Sequence, residues 1–323
     1  MQIPKLNHEV TLPNFDPIIA NVTNEYIKAA TSANTRKAYR SDVRHFKYCG
    51  GLLPATAEYI ISYLEKNAAS LNPRTLSRRL TALKQWHTTQ GFPDPTSHPM
   101  VRKTLAGIMN VHGVPKNKAL ALTIEQLAQI VEILERSGSL INYRDSALLQ
   151  IGFFGAFRRS ELVNIKVEQI KELHEGIEIL IPRSKTDQTG QGKICAIPYG
   201  KDKICPVTAL ILWLNKSNIN HGPIFRKITK NGTLSQQALA EESVTFVLRR
   251  AITKLGHVNI NDFSSHSLRR GFATSASKNG ASLPAIMRQG RWQHEGTVIE
   301  YIEESQRFED NAADLVLSII NGK

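Results

Sequence analysis

A mainly α-helical fold with a small antiparallel β-sheet is predicted by three features of this 323-residue chain. Apolar residues recur at helical spacing through most of its length, and good caps and glycine stops bracket those stretches. Sustained β-type patterning is confined to one segment near residues 176–200. The 41% apolar content supplies real cores, and the length suits two domains better than one.

Residues 1–20 are rich in Pro and Asn without a sustained period, and are expected to form a loose arm. Residues 21–112 are expected to be an N-terminal helical bundle. In "NTRKAYRSDVRHFKYCGG" a cap at Asn34 or Thr35 opens a helix that paired glycines close. Tyr39, Val43 and Phe46 mark its apolar face, while Arg36, Arg40 and Arg44 recur four apart on another. "ATAEYIISYLEKNAA" predicts the next helix. "NPRTLSRRLTALKQWHTTQG" predicts a third, with Asn72 as cap, Pro73 in the first turn and Gly91 as the stop. Leu76, Leu80, Leu83 and Trp86 form its apolar stripe, with Arg74, Arg78 and Arg79 directed elsewhere. "PMVRKTLAGIMNVHG" closes the bundle. Residues 113–122, with Gly, Pro and lysines, read as a linker.

Residues 123–323 form the second expected domain, of mixed α/β character. "TIEQLAQIVEILERSG" and "INYRDSALLQIGFFGAF" are helical. "GIEILIPRSKTDQTGQGKICAIPYG" reads as a β-hairpin around a polar tip. Helices return with "CPVTALILWLNKSN", "EESVTFVLRRAITKLG" and the C-terminal stretches. There is no internal repeat.

Lysine and arginine number 41 against 28 acidic residues, a net +13 that predicts attraction to a polyanion. No apolar run is long enough to span a membrane and no signal core is evident, so nucleic acid is the expected partner. Basic stripes on two helices of one bundle suit phosphate contacts; Arg36, Arg40, Arg44, Arg74, Arg78 and Arg79 are the candidates. The three cysteines are widely spaced and form no CxxC pair, which fits a reducing cytoplasm. The ten histidines show no metal-ligand spacing, so no metal is expected.

Four stretches of the second half concentrate residues suited to chemistry. "GAFRRSELVNIK" places Arg158 and Glu161 three apart on one helix face. The hairpin tip carries Lys185, with Lys193 as a second lysine. "SSHSLRRGFAT" puts His266 near a helix start capped by Ser264 or Ser265, where backbone N–H groups favour an anion. Arg269 and Arg270 both follow one turn later, and spacing alone does not choose between them. In "GRWQHEGTVIEYIEESQRF" Trp292 precedes Tyr301 by nine residues.

Taken in order, these stretches resemble the catalytic domain of the tyrosine site-specific recombinases, the phage-integrase family. The shared pattern is Arg158 with Glu161, Lys185 in a hairpin, His266 with Arg269, then Trp292 and Tyr301. Trp292, where many members carry His, is similar to the Cre type of recombinase. The resemblance implies that the N-terminal bundle is a core-binding domain, that residues 123–323 are catalytic, and that the two clamp around DNA.

It also implies a chemistry that needs these residue types. Tyr301 would attack a DNA phosphate, leaving a 3′-phosphotyrosyl link. Two guanidiniums, Arg158 and Arg269, suit the charge that develops on the non-bridging oxygens. Trp292 adds an indole N–H, and His266 donates a hydrogen bond or accepts the tyrosine proton. Lys185 would protonate the leaving 5′-oxygen. Glu161 would orient Arg158 or His266 rather than touch phosphate. No cofactor or ATP is implied, since one ester replaces another.

The expected partners are duplex DNA with an inverted-repeat site, a homodimer per site and a synaptic homotetramer. In the tail, Ala312, Leu315, Val316, Ile319 and Ile320 share an apolar face that would dock on a neighbouring protomer. No membrane role is expected, and a cytoplasmic, nucleoid-associated location is. Two alternatives stand beside the recombinase: a DNA-binding regulator on the same scaffold, and a topoisomerase or dimer resolvase of the same chemistry. The complete set of Tyr301 and both arginines favours an enzyme over the regulator.

Overall fold

The computed structural model of the chain describes residues 25–182, 192–201, 204–256, 259–305, 312–313 and 316–317. The expected arm at 1–20 lies outside them. The chain divides into two compact units, Met1–Lys116 and Asn117–Lys323, and the division falls within the 113–122 stretch.

The first unit is all-helical: α1 (Glu25–Ala29), α2 (Ala33–Tyr48), α3 (Ala57–Asn67), α4 (Pro73–Thr89) and α5 (Pro99–His112). The cap of α2 is Ser32, whose Oγ accepts from the Thr35 N–H at 3.1 Å. Asn34 and Thr35, the expected caps, lie within the first turn instead. Helix α4 begins as its sequence predicts, with Asn72 Oδ1 accepting from the Arg74 N–H at 2.9 Å and Pro73 in the first turn. Val43, Phe46, Leu76, Leu80, Leu83 and Trp86 are all buried in one core.

One prediction on α4 is corrected. Arg79 does not point to solvent; it is buried, donating to the Tyr63 hydroxyl at 2.9 Å and contacting His45 Nδ1 at 2.7 Å, with buried Asp42 at 3.5 Å. Burial raises the Asp42 carboxyl pKa despite the flanking Arg78 and Arg79. Arg78 reaches the same carboxylate at 2.8 Å while half its side chain stays exposed. A second arginine on α4 is therefore held by an internal charge network.

In the second unit α6 (Ile124–Arg136), α7 (Leu140–Phe154) and α8 (Arg159–Val163) lead to a three-stranded sheet. Strands β1 (Ile170–Leu173), β2 (Gly176–Ile181) and β3 (Lys193–Pro198) run antiparallel in that order, Ile179 pairing with Cys195. Helix α9 (Pro206–Ser217) follows. Strands β4 (Arg226–Ile228) and β5 (Leu234–Ala238) form a second, two-stranded sheet that the sequence did not suggest. Helices α10 (Glu241–Lys254), α11 (Ser265–Lys278), α12 (Leu283–Gly290) and α13 (Glu295–Ser305) complete the described elements.

Helix α7 is buried on nearly every side, as its all-round apolar sequence requires. It packs with Phe157, Trp213, Phe225 and Leu268 in the main core. A smaller cluster of Ala273, Ile286 and Val298 joins α11, α12 and α13, with Trp292 and Tyr301 packed on it. Glycine lets α11 approach the chain before α6: a Cβ on Gly271 would lie 1.9 Å from the Leu122 carbonyl oxygen. No described helix is long and apolar enough to cross a membrane.

Candidate active site

The rigid end of α7 sets the site. After Phe154 the chain turns through Gly155, Ala156 and Phe157, with Ala156 in the left-handed region at φ 45°. A Cβ on Gly155 would sit 2.1 Å from the Phe157 ring, so only glycine admits this turn. The turn aims two carbonyls, those of Gly155 and Ala156, at arginines from distant parts of the chain. It also delivers Arg158 as the N-cap residue of α8.

Glu161 closes back on this cap. Its Oε2 accepts from the Arg158 backbone N–H at 3.1 Å, and its Oε1 accepts from the Arg158 guanidinium at 2.7 Å. The carboxylate is buried, and the Arg291 and Arg158 guanidiniums hold its pKa below the usual glutamate value against the upward push of burial. Arg159 turns away instead, 3.4 Å from Glu241. The structure thus separates two adjacent arginines by their partners.

Ser264 caps α11, its Oγ accepting from the His266 N–H at 3.2 Å. His266 is exposed on the first turn. Arg269, one turn on, is buried; it donates to the Ala156 carbonyl, and its guanidinium carbon lies 3.9 Å from the Trp292 ring centre. Arg270 takes a different course, donating to the Ala119 carbonyl and lying 5.1 Å from the centre of the Tyr301 ring. Burial, then the charges of Arg158 and Arg291, push the Arg269 pKa down to about 9.

Trp292 and Tyr301 meet edge to face at 6.3 Å between ring centres, so Arg269, Trp292 and Tyr301 form one continuous stack. Tyr301 is half-buried on α13. Next to it Glu300 pairs with Lys118, so the linker segment touches the helix that carries the tyrosine. A cleft of about 820 Å³ opens beside Tyr301, lined also by Arg270, Thr274, Ser275 and Lys278.

Five of the predicted residues, Arg158, Glu161, Arg269, Trp292 and Tyr301, therefore belong to one network of contacts. His266 stands on the turn before Arg269. Lys185 lies outside the described residues, in the connection between β2 and β3; Lys193, its alternative, opens β3 and is exposed. Arg291 was missed. It is buried beside Glu161, and the only hint in the sequence was a cation between Gly290 and Trp292.

In the first unit Arg36, Arg40 and Arg44 line one groove with Lys37 and Ser41. Arg74 is exposed on α4 and donates to the Val114 carbonyl at 3.0 Å. Among the described residues no group of three or more His, Cys, Asp or Glu gathers to hold a metal.

The phage integrase family model matches residues 120–307. The chain is 37% identical over 295 residues to an integrase/recombinase xerD homolog of Selenomonas ruminantium, covering 88% of this chain and 86% of the relative. It is 26% identical over 266 residues to the recombinase cre of Escherichia phage P1, covering 77% and 76%. Its fold is similar to a lambda integrase dimer bound to a COC′ core site, with a TM-score of 0.60 at 15% identity over 87% of this chain and 75% of that one. XerH site-specific recombinase in its post-cleavage complex with palindromic difH gives a TM-score of 0.57 at 19% identity, over 82% and 71%.

Proposed function

We propose that this chain, which belongs to the phage integrase family, is a site-specific recombinase that cuts and rejoins duplex DNA through Tyr301. The observation that carries this is the concentration of buried positive charge beside a tyrosine. Arg269 is packed between Arg158, Arg291 and the Trp292 ring at a site with one buried carboxylate, and burial together with the neighbouring arginine charges depresses its pKa, which a nearby anion would offset. A phosphodiester supplies that anion.

The reaction is a transesterification. The Tyr301 oxygen bonds to phosphorus and the bond from phosphorus to the 5′-oxygen breaks. The phenol proton passes to His266 or water. Lys185 protonates the departing 5′-oxygen. Arg158 and Arg269 clamp the non-bridging oxygens as charge builds on them, which preorganised guanidiniums do without solvent rearrangement. Trp292 adds one donor. The phosphotyrosyl ester conserves the bond, so a 5′-hydroxyl from another duplex reverses the step without ATP.

In this reading Asn117–Lys323 is the catalytic domain and Met1–Lys116 the core-binding domain. The groove lined by Arg36, Arg40 and Arg44 supports phosphate contacts there. Two protomers occupy the inverted repeats of one site, and two sites synapse as a tetramer through the C-terminal tail. Val316 and Leu317, both exposed, support an apolar tail with a partner; Ala312 is also exposed, and Leu315, Ile319 and Ile320 lie outside the described residues. The work is done on duplex DNA in the cytoplasm, at the nucleoid.

A covalent-adduct assay tests this. The protein is incubated with duplexes from the DNA flanking its own gene and quenched in detergent. A detergent-resistant protein–DNA band that is absent for Tyr301→Phe is expected. An adduct that survives in Tyr301→Phe moves the nucleophile elsewhere. Tight, salt-sensitive binding without any adduct supports the regulator instead.

A further inference from the structure

Arg291 follows α12 in the left-handed region, at φ 56° and ψ 40°. The Trp292 N–H wraps back to the Met287 carbonyl at 3.0 Å, as in a Schellman-type helix end. That position favours glycine, and a residue with a Cβ pays about 1 kcal/mol to hold it. An arginine kept there points to work done by its side chain.

The side chain is almost wholly enclosed, at 2% exposure. Its Nη2 reaches Glu161 Oε2 at 3.2 Å, the Gly155 carbonyl at 3.1 Å and the Ala156 carbonyl at 3.5 Å. Its Nη1 donates to the Gln289 carbonyl at 2.8 Å, and the guanidinium lies 4.6 Å from the centre of the Phe157 ring. Both terminal nitrogens of Arg291 are engaged by Glu161 and backbone carbonyls, whereas Arg269 keeps an Nη2 without a hydrogen-bond partner among the described residues for an incoming phosphate. Arg291 grips instead the three features that hold the clamp: the Glu161 carboxylate that holds Arg158, the Ala156 carbonyl that receives Arg269, and the turn between them. Its own backbone directly precedes Trp292.

We propose that Arg291 is a positioning residue for strand cleavage, fixing Arg158 through Glu161 and Arg269 through the Ala156 carbonyl. This rests on the recombinase reading of the site. Without Arg291, Arg158 is the one salt-bridge partner left to Glu161 among the described residues, and the carboxylate is free to draw that guanidinium inward, away from an incoming phosphate. The groups facing Arg291 are Glu161 and Arg158 at α8, Arg269 on α11 and Cys195 on β3. Loss of its charge lets the pKa values of both Glu161 and Arg269 rise.

The test uses the full-length protein and the duplex that gives an adduct with wild type. Arg291→Gly removes the guanidinium and relieves the backbone; Arg291→Lys returns a cation without the planar fork. Single-turnover adduct formation at saturating DNA is expected to fall about 10–100-fold in Arg291→Gly. DNA affinity stays within about twofold of wild type, and Arg291→Lys recovers part of the rate. Both limbs of the pH–rate profile of Arg291→Gly move to higher pH. A wild-type rate in Arg291→Gly overturns the proposal, as does a loss with an unmoved pH profile or one explained by lost DNA binding. Failure of wild type itself to form an adduct overturns the recombinase reading, and this inference with it.

Discussion

The guanidinium of Arg269 lies 3.9 Å from the centre of the Trp292 ring, and that ring in turn meets Tyr301 edge to face. The cation thus holds the indole, and the indole holds the tyrosine. A cation–π contact this close is worth about 0.5–2 kcal/mol. Trp292→Ala should slow adduct formation by roughly twofold to thirtyfold from this contact alone. Trp292→Phe retains the stack and removes the indole N–H. If the N–H serves the phosphate, Phe is slower than wild type at equal DNA affinity; equal rates would assign Trp292 to packing only.

Gly290 is required by the same ring. A Cβ there would stand 1.8 Å from the six-membered edge of the Trp292 indole, well inside any real contact. Gly290→Ala should displace the indole from Arg269 and cut adduct formation at least as much as Trp292→Ala. Circular dichroism should show the helical content unchanged. An active Gly290→Ala protein would mean that the stack is dispensable.

The pH dependence follows from Arg269, whose pKa is pushed down to about 9 in the DNA-free protein. The charged guanidinium is the form that clamps phosphate, and it is present below about pH 9. As pH rises through 9 the proton is lost and the clamp fails. Adduct formation at subsaturating DNA reports the free protein, so its rate should fall close to tenfold per pH unit above about 9. At saturating DNA the bound phosphate stabilises the cation and the fall should move to higher pH. A flat subsaturating profile to pH 10.5 would remove Arg269 from the rate-limiting clamp.

In the first unit, burial separates the arginines into two kinds. Arg79→Ala leaves buried Asp42 short of one cationic partner and should destabilise the protein by about 3 kcal/mol. Arg78→Ala, whose side chain is half exposed, should cost less than about 1 kcal/mol. Arg40→Ala or Arg44→Ala should leave stability unchanged, weaken DNA binding and reduce the salt slope of binding by about 1. Urea denaturation and salt-titrated binding measure the two effects separately. A stable Arg79→Ala protein with weakened DNA binding would return Arg79 to the phosphate contacts.

The sequence by itself determined most of the helices and the β2–β3 hairpin, which depend on relations within a turn or two, such as period and caps, that local sterics fix. Spacing did not choose between Arg269 and Arg270; the candidate set of Arg158, Glu161, Arg269, Trp292 and Tyr301 rests on its order along the chain and the family pattern that order resembles. The sequence missed β4 and β5: the Asn231–Gly232 turn was present, but "LSQQA" lacks the apolar alternation that marks a strand. Only the tertiary structure decided which cations are buried and what they hold. Arg291 reaches Glu161 across 130 positions, and Arg269 reaches Ala156 across 113. Neither spacing leaves a periodic trace. A buried charge answers to the groups that surround it in space, and those are brought together only when the distant turns close.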